Sequence, residues 1–237
     1  MPTDPEKTIY VRRMFANISD TYDRLNNILS FGCDQYWRHA TAAKCAPASG
    51  GKILDVAAGT GRLAHTIAGK YPANEVIGVD FSTEMLAVGQ RRLQKENNRH
   101  RIRLALGDAT CLPFKDNDFA AVTLAYALRN IPDLNGALRE ALRVLEPGGR
   151  FIALELTRPG CKLLKWPFRF YLGTVIPFIG GLISGKKHAY DYLGDSIRSF
   201  QEPDEFAAMM RSAGFSGVNV YRLTFGAATV WVGVKPK

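Results

Sequence analysis

The sequence predicts an α/β fold in which a mostly parallel, seven-stranded sheet carries helices on both faces. Two observations predict it. From Lys52 onward, short apolar runs alternate with helical patterns, as the strands and crossover helices of a parallel sheet do. Near the end of the chain, two segments of alternating polarity, around 218–222 and 229–234, would complete the sheet.

Apolar runs of strand length define the parallel part of the sheet. Each is followed by a turn or by a helical pattern, so consecutive runs are expected to pair side by side. They are Lys52–Val56, Glu75–Asp80, Arg101–Leu106, Phe119–Ala125 and Arg150–Glu155.

Capping and turn residues place the helices between these strands. Ser82 and Asp133 are each suited to cap the start of a helix whose apolar residues share one face. In this interpretation the turn Pro147–Gly149 ends the second of those helices. Pro203 opens a later helix, and Gly214 stands where a left-handed cap would end it.

Residues 12–30 are predicted to form a helix near the start of the chain, with polar residues largely opposite its apolar face. We expect this helix to lie over the mouth of the sheet. Its apolar face carries Phe15, Ile18, Tyr22, Leu25 and Leu29.

With 237 residues, of which 46% are apolar, the chain can bury one sizeable core. The expected organisation is an N-terminal helical cap, a core that binds a cofactor, a lid segment, and a C-terminal helix with the last strands. These parts are residues 1–48, 49–160, 161–200 and 201–237, in that order.

The cysteines and the polar N-terminal segment favour a cytoplasmic location. No CxxC or Cys/His pairing is present, so neither a disulfide framework nor a metal site is predicted. The first residues lack the apolar stretch of a secretory signal. The cysteines are Cys33, Cys45, Cys111 and Cys161.

The net charge of +9 suits an anionic partner, either a nucleic acid or a membrane surface. No added basic or aromatic nucleic-acid module is visible in the sequence, so we expect no nucleic acid.

The stretch from Ile53 to Gly61 is the most informative one, since a buried strand runs directly into the glycine turn Gly59-Thr60-Gly61. Glycine allows positive φ and a close approach of the backbone to a ligand. Asp80 ends the next strand, where a carboxylate can accept both hydroxyls of a ribose. Open parallel sheets bind ligands at the carboxyl ends of their strands, which is where the glycine turn and Asp80 lie.

Gly59-x-Gly61-x-x-Ala64, with Asp80 nineteen residues after Gly61, also satisfies the loose fingerprint of a nicotinamide enzyme. Features that this fingerprint does not predict weigh against that function. They are Asp55 inside the strand, Gly107-Asp108-Ala109 after the third strand, and Leu112-Pro113-Phe114 just beyond. Each acid alone also has a structural interpretation, as a turn residue or a helix cap.

The order of these features resembles Rossmann-like class I methyltransferases. From about residue 10 to the C-terminus, the sequence is similar to the family that C-methylates the ring of prenylated quinols in menaquinone and ubiquinone biosynthesis. The segments that carry this resemblance are Tyr22–Asn26, Ser30–Gly32, Trp37, Leu112–Phe114, Asp116–Asn117, Phe119, Leu128–Asn130, Arg143–Leu145, Pro147–Gly149, Pro177, Ile179–Gly180, Tyr190, Tyr192–Leu193, Ser196–Ile197 and Gly214–Phe215.

The resemblance implies that S-adenosylmethionine is the methyl donor, that S-adenosylhomocysteine is the product, and that no metal is needed. The acceptor would be demethylmenaquinol, a polyprenyl-methoxy-benzoquinol, or both. The residues expected at the cofactor are Asp55, Gly59, Thr60, Gly61, Asp80, Phe81, Asp108, Ala109 and Ala125. Arg62 departs from the aspartate that is common in the family, and some members have a serine where Ala125 stands.

For catalysis, a ring carbon becomes nucleophilic when the neighbouring hydroxyl ionises, so the enzyme must stabilise a phenolate. The resemblance assigns that role to Arg129, whose charge is fixed, while Asn130 would orient the second ring oxygen. Without the resemblance, a surface ion pair and a turn residue are the alternatives for these two. Tyr22 is the candidate general base, with Asp23, water and, indirectly, Asp80 as other candidates.

Residues 166–192 are expected to form a mobile lid that takes up the isoprenoid tail and rests on an anionic membrane. The uncharged run 170–185 is too short and too interrupted to span a bilayer. The alternative is an insertion that packs on the sheet. The expected tail-contacting residues are Ile176, Phe178, Tyr190 and Tyr192, and the flanking bases are Lys162, Lys165, Arg169, Lys186 and Lys187.

Two alternative functions stay open from the sequence. One is methylation of another small aromatic or lipid acceptor, and the other is a non-catalytic S-adenosylmethionine-binding subunit of a quinone-synthesis complex. The expected partners are the prenylated quinol, the inner face of the membrane as a peripheral surface, and a second copy of the chain in a possible homodimer.

Overall fold

In the computed structural model, which describes residues 5–48, 50–160, 162–184 and 187–237, a seven-stranded sheet has the order β3-β2-β1-β4-β5-β7-β6. The strands from β3 to β5 pair in parallel, whereas β7 is antiparallel to both of its neighbours. The predicted sheet is confirmed. The strands are β1 Lys52–Val56, β2 Glu75–Asp80, β3 Ile102–Leu106, β4 Phe119–Ala125, β5 Leu145–Leu156, β6 Ser216–Leu223 and β7 Ala228–Val234.

Helices connect the parallel strands, except that a loop joins β3 to β4, and they cover both faces of the sheet. Short helical turns at 99–101, 128–130 and 224–226 join some of these elements, and a π-helical turn at 171–175 joins α6 to α7. The helices are α1 Pro5–Leu29, α2 Cys33–Cys45, α3 Arg62–Lys70, α4 Thr83–Leu93, α5 Leu134–Val144, α6 Lys162–Phe170, α7 Ile176–Ser184, α8 Lys187–Ser199 and α9 Pro203–Ser212.

The predicted caps at Ser82 and Asp133 are confirmed, because each side chain accepts a hydrogen bond from a backbone N–H of the first turn of its helix. The predicted helix stop at Pro147–Gly149 is wrong. Helix α5 already ends at Val144, and β5 begins at Leu145, which pairs with Phe119 ahead of an irregularity in the register. Strand β5 therefore starts earlier than predicted, and Pro147–Gly149 lies inside it.

The apolar core has one layer on each face of the sheet. The layer under α5 and α9 is built around large buried side chains such as Phe119, Phe151 and Trp231. The layer under α2 and α3 is built around smaller aliphatic residues such as Ile53 and Ile67. Both strands at the centre, β1 and β4, are buried on both faces, as parallel strands covered by helices must be.

Helix α1 packs against α7, α8 and the π-helical turn in a third apolar cluster, outside the sheet. This cluster includes Leu25 and Leu29 of α1, Leu172 of the turn, Ile176 of α7 and Ile197 of α8. Helix α1 and the described part of the predicted lid therefore pack together, whereas α2 lies on a face of the sheet. Within the described residues, no helix combines the length and the apolar character needed to cross a membrane.

Candidate active site

The glycine turn after β1 adopts the left-handed backbone that the sequence predicts. Gly59 and Gly61 have φ of 56° and 70°, and even Ala57, just after β1, has φ of 53°. The turn is held by hydrogen bonds from Ala58 N–H to the Val79 carbonyl (2.9 Å) and from Gly61 N–H to the Ala58 carbonyl (2.8 Å). The chain thus leaves the sheet sharply, and the start of α3 stands beside an open space.

That space is a cavity of about 530 Å³ at the carboxyl ends of β1, β2 and β4, which we call the first cavity. Helix α1 closes one side of it through Tyr22 and Asp23. Gly61 does not line the cavity, because it turns the chain into α3. The remaining predicted cofactor residues all border it: Asp55, Gly59, Thr60, Asp80, Phe81, Asp108, Ala109 and Ala125.

Asp80 is 5% exposed and connects the glycine turn to the start of α4. One carboxylate oxygen accepts the Gly59 N–H (2.7 Å) and the other accepts the Ser82 N–H (2.9 Å). Burial raises its pKa, and the N–H donors act in the opposite direction. Asp80 therefore does both: it bonds to the start of α4 and it borders the first cavity.

Asp55 is buried at the inner wall of the cavity. Thr123 donates its hydroxyl to Oδ1 of Asp55 (2.7 Å), whereas Oδ2 has no hydrogen-bond partner in the described part of the chain. Burial raises the pKa of Asp55 to about 7. A buried carboxylate oxygen without a donor is costly, and a cationic or N–H-bearing ligand in the cavity would satisfy it.

Asp108 lies at the exposed rim of the first cavity. Its Oδ1 accepts the backbone N–H of Thr110 (2.8 Å) and the Thr110 hydroxyl (2.7 Å), which forms a local turn. Ala109 follows it along the same wall.

A second cavity of about 260 Å³ adjoins the first one and is walled mainly by apolar side chains of α1, the π-helical turn, α7 and α8. Ile176, Tyr190 and Tyr192, predicted to contact an isoprenoid tail, border it. Among the described residues, the side chains that border both cavities are Phe15, Tyr22, Arg38, Tyr126 and Asn130, which we call the junction residues.

Phe178 does not border either cavity, although the sequence pattern groups it with Ile176. Its side chain is 69% exposed, whereas Ile176 is 5% exposed and belongs to the third apolar cluster. The two residues lie on different sides of α7. Phe178 is one of the exposed apolar side chains of α6 and α7, together with Leu163, Trp166, Phe170 and Leu182, which we call the exposed apolar surface.

Arg129 borders the second cavity only, and it is not a surface arginine. Its guanidinium forms an ion pair with the fully buried Glu155 of β5, and its Nε donates to the Ser196 hydroxyl of α8 (3.1 Å). Burial raises the pKa of Glu155, and the charge of Arg129 acts in the opposite direction. Sequence reasoning missed Glu155 and Ser196, since only the strand register and the path of α8 bring them to Arg129.

Asn130 and Tyr22 stand where the two cavities meet. Asn130 Oδ1 accepts a hydrogen bond from the Tyr192 hydroxyl (3.1 Å), which ties the turn after β4 to α8. Tyr22 is half-buried, and its desolvation raises the pKa of its phenol, whereas the charges of Arg129 and Arg38 lower that pKa.

Asp23 fastens α1 to the glycine turn. The Thr60 hydroxyl lies 2.9 and 3.0 Å from the two carboxylate oxygens of Asp23 and donates to that group. A second connection between α1 and the core is the ion pair of Asp20 with Arg91 of α4 (3.1 Å), which is exposed.

Arg38, Asp34 and Tyr126 are site residues that sequence reasoning did not identify. Arg38 and Asp34 form a buried ion pair one helical turn apart on α2, a spacing that could have suggested the pair. Tyr126 is a non-glycine residue with φ of 60°, which no local pattern announces. In the described ranges, no group of three His, Cys, Asp or Glu side chains is arranged to hold a metal ion.

Some of the predicted lid lies outside the described residues, namely Cys161, Gly185 and Lys186. Of the other flanking bases, Arg169 is exposed, and for Lys162, Lys165 and Lys187 only the backbone is described.

The solved structures that resemble the chain share its fold. A possible histamine N-methyltransferase from Thermotoga maritima matches with a TM-score of 0.66 and 21% identity, covering 94% of this chain and 98% of that one. The [4+2]-cyclase SpnF matches with a TM-score of 0.69 and 18% identity over 95% of both chains. At such identities the likeness shows the fold alone.

Comparison of sequences is more informative. A relative in Geobacter sulfurreducens, named ubiquinone/menaquinone biosynthesis C-methyltransferase UbiE, is 43% identical and covers 97% of this chain and 90% of its own. A demethylmenaquinone methyltransferase of Thermus thermophilus is also 43% identical, covering 94% of this chain and all of its own. The model of the ubiE/COQ5 methyltransferase family matches residues 3–235. The chain therefore belongs to the ubiE/COQ5 methyltransferase family.

Proposed function

We propose that this methyltransferase moves a methyl group from S-adenosylmethionine to a ring carbon of a prenylated quinol, the reaction class that the names of its relatives describe for them. The observation that carries the proposal is the pair of adjoining cavities. The first is lined by acids and a glycine turn, the second is mainly apolar, and the junction residues border both. This arrangement suits a polar donor and a lipid acceptor that meet at one point.

The residues of the first cavity fit the donor. Each oxygen of the Asp80 carboxylate accepts one backbone N–H and has a lone pair left for a ribose hydroxyl. Oδ2 of Asp55, which is buried and has no donor among the described residues, suits the ammonium group of the methionine part. Asp108 and Ala109 at the rim suit the adenine, whose amino group can donate to the carboxylate.

The second cavity fits the acceptor. A prenylated quinol has a ring with two oxygens and a long apolar tail. The cavity places its polar side chains, such as Arg129, Asn130 and Tyr22, near the junction and its apolar ones around α7 and α8. The ring would therefore lie at the junction, and the first part of the tail would contact Ile176 and Tyr190.

The reaction at this junction is an in-line displacement. The donor supplies an activated methyl group: its carbon–sulfur bond breaks, a carbon–carbon bond to the ring forms, and the electron pair returns to sulfur. The ring carbon then loses its proton to solvent. The protein contributes alignment of the two partners, exclusion of water, and stabilisation of negative charge on the ring oxygen.

Arg129 and Asn130 would hold the ring oxygen on the side of the second cavity. The Nη2 group of Arg129 has no acceptor among the described residues and can donate to a phenolate, while its other nitrogens are fixed by Glu155 and Ser196. Glu155 offsets part of the charge of Arg129. The guanidinium therefore acts both as a hydrogen-bond donor in a fixed position and as a partly neutralised cation.

Tyr22 is better suited to donate a hydrogen bond than to act as a general base. Burial raises the pKa of its phenol, so it stays protonated near neutral pH. Asp23 is occupied by Thr60. The proton of the quinol would then leave to water, since nearby arginine charge favours the phenolate without a dedicated base.

The exposed apolar surface on α6 and α7 would rest on an anionic membrane at the inner face, as a peripheral contact. A polyprenyl quinol resides in a bilayer, and an enzyme that receives only its ring avoids carrying the tail through water. The net charge of +9 and the exposed Arg169 favour anionic headgroups. Assembly as a homodimer stays a prediction.

The direct test is transfer of label from methyl-labelled S-adenosylmethionine to reduced demethylmenaquinol and to a polyprenyl-methoxy-benzoquinol in detergent micelles. We expect the label on a ring carbon of at least one quinol, and none on the oxidised quinones, which lack the ionisable hydroxyl. Binding of S-adenosylhomocysteine without transfer to either quinol would contradict the proposed acceptor class.

A further inference from the structure

The Arg38 side chain is the cationic group at the junction, where the acceptor ring must meet the methyl group. It is 5% exposed and borders both cavities, whereas Arg129 borders the second cavity only. The charges of both arginines act on the Tyr22 hydroxyl from their separate elements. Both arginines also border the second cavity, so the two guanidinium groups face the same space.

Arg38 is held firmly yet keeps donors for a ligand. Its Nη1 pairs with the buried Asp34. Asp34 Oδ1 in turn accepts from Asn27 Nδ2 (3.2 Å) and from the Ser30 hydroxyl (3.1 Å), so its charge is shared among several donors. The structure gives Nε and Nη2 of Arg38 no acceptor among the described residues. A buried guanidinium with two such groups is a recognition site for an oxyanion.

Tyr126 fixes the position of this guanidinium. Its ring centroid lies 5.2 Å from Cζ of Arg38, which is the geometry of a cation–π contact. The backbone of Tyr126 holds that position with φ of 60°, a region in which a bulky residue is strained. Strain retained at a junction between two cavities is typical of a functional constraint.

A quinol presents two oxygens on opposite sides of its ring, and the carbon that receives the methyl group is next to one of them. We propose that Arg38 is a further catalytic residue, which binds the ring oxygen nearer the first cavity and stabilises its phenolate form. Arg129 and Asn130 hold the opposite side of the ring. This inference rests on the proposed function, since it assigns a residue to the same acceptor site.

Arg38 supports the reaction by lowering the pKa of the bound hydroxyl, so its loss has a pH signature. Asp55 titrates near pH 7 on the donor side, so turnover must be measured with saturating S-adenosylmethionine. Charged or titratable groups face Arg38 from several elements. They are Asp34 on its own helix, Tyr22 of α1, Asp55 of β1, Arg92 of α4, and Tyr126 and Arg129 after β4.

The variants are Arg38→Gln, Arg38→Lys and the double variant Asp34→Asn with Arg38→Gln. The double variant leaves no unpaired buried acid, so it replaces Arg38→Gln if that single variant fails to fold. His39→Gln, the next and exposed residue of α2, is the matched control. Turnover of the quinol is measured from pH 6 to pH 9, together with S-adenosylhomocysteine affinity and melting temperature.

We expect the double variant to fold and to bind S-adenosylhomocysteine within about threefold of the original, but to lose turnover at pH 7 by roughly a hundredfold, as for one oxyanion donor. The deficit should shrink as the pH rises, since the hydroxyl then ionises without help, and Arg38→Lys should recover part of the activity.

Turnover of the double variant within threefold of the original at pH 7 would overturn the role of Arg38 and leave the proposed function intact. A loss of equal size at every pH would also overturn it, because it would indicate a structural role only. If the unaltered protein transfers no methyl group to any quinol, the proposed function fails, and this inference fails with it.

Discussion

At the end of β2, the Asp80 carboxylate joins the glycine turn to α4, and we propose that it also holds the ribose of the donor. Asp80→Ala removes this acceptor and leaves the N–H groups of Gly59 and Ser82 without a partner. A hydrogen bond to a charged group contributes about 1.5–3 kcal/mol, so we expect the affinity for S-adenosylhomocysteine to fall tenfold or more.

Titration calorimetry checks this expectation. Glu75→Gln, at the opposite end of the same strand, is the control, since Glu75 makes a surface ion pair with Arg103 and should leave the affinity unchanged. Unchanged affinity of Asp80→Ala, or tight binding of NAD by the original protein, would show that the cofactor assignment is wrong.

Arg129 serves the fold as well as the proposed reaction, because it is the ion-pair partner of the fully buried Glu155. Arg129→Ala should lower the unfolding free energy by about 3–5 kcal/mol, the usual cost of leaving a buried charge unpaired. It should also lower turnover about a hundredfold or more while S-adenosylhomocysteine still binds.

The double variant Arg129→Ala with Glu155→Gln separates the two effects. Removing the buried acid should restore much of the stability in a denaturant titration but none of the turnover. If the double variant regains normal turnover, the guanidinium acts only as the partner of Glu155.

Asp55 makes the stability of the protein depend on pH, and the sign of this dependence follows from the raised pKa of Asp55, about 7. In the unfolded chain an aspartate ionises near pH 3.9, so between that value and pH 7 the folded state holds a proton that the unfolded state has lost. The contribution of Asp55 to stability therefore falls as the pH rises through this window, by at most about 1.4 kcal/mol per pH unit, and levels off above pH 7.

The same titration affects donor binding in the opposite direction. If the ammonium group of the donor contacts Asp55, it favours the carboxylate, and affinity should rise between pH 6 and pH 8. Asp55→Asn should flatten both profiles, as measured by thermal unfolding and calorimetry. An Asp55→Asn variant that keeps the original pH profile of donor affinity would separate Asp55 from the donor.

Among the elements, α6 and α7 present an exposed apolar surface that includes Trp166, 76% exposed and stacked on Phe170. Replacing Trp166 and Phe178 by serine should abolish sedimentation with anionic vesicles at low salt without lowering the melting temperature, because neither side chain is buried. Leu106→Ser is the matched control, since Leu106 is an exposed apolar residue of the edge strand β3 and lies outside α6 and α7.

Activity gives a second measurement of the same surface. The double variant should lose activity on long-tailed quinols in vesicles and keep it on tail-less analogues in solution. Vesicle binding that survives in the double variant, or activity that falls equally on both acceptors, would contradict a membrane role for this surface.

The elements that the sequence predicted best are those with local signals. The bounds of β1 and β2 match the prediction, since each is a short apolar run next to a glycine or a capping residue. Phe178 lies outside the second cavity, and the sequence could not show this because every residue around it is apolar, so no pattern indicates which side of α7 faces out. Its contact with the tail stays a prediction. The π-helical turn at 171–175 makes the exposed side of α7 harder to predict, because one extra residue in a turn rotates the next helix by about 100°.

At the scale of the whole molecule, local sequence patterns do not identify site residues whose positions depend on long-range contacts. Glu155 meets Arg129 only through the pairing of β4 with β5, which contains a register irregularity. Arg38 reaches the junction because α2 packs between α1 and the sheet. A single sequence shows neither path, so it predicts a donor site at the strand ends but neither the place of Arg38 nor the buried partner of Arg129.

Helix α1 borders both cavities and is fastened to the core by the Asp23–Thr60 hydrogen bonds and the Asp20–Arg91 ion pair. Because α1 covers both cavities, we expect these contacts to open and α1 to move away when ligands enter, and α1 to close over the ligands afterwards. Binding of S-adenosylhomocysteine should slow amide exchange both at 57–61 and along α1, and leave β6 and β7 unchanged. At a hundred times its dissociation constant, the ligand should raise the unfolding free energy by about 2.7 kcal/mol.

Thr60→Val tests whether this fastening holds α1 closed. Without the hydroxyl, exchange along α1 should be faster in the free protein and the ligand should dissociate sooner, while Thr66→Val on α3 should change neither, since the Thr66 hydroxyl bonds only within its own helix. Because α1 also carries Tyr22 to the junction, a loosened α1 should lower turnover even when the donor is saturating. Amide exchange along α1 that responds neither to the ligand nor to Thr60→Val would show that the helix is a fixed wall of the two cavities, and that the ligands enter by another route.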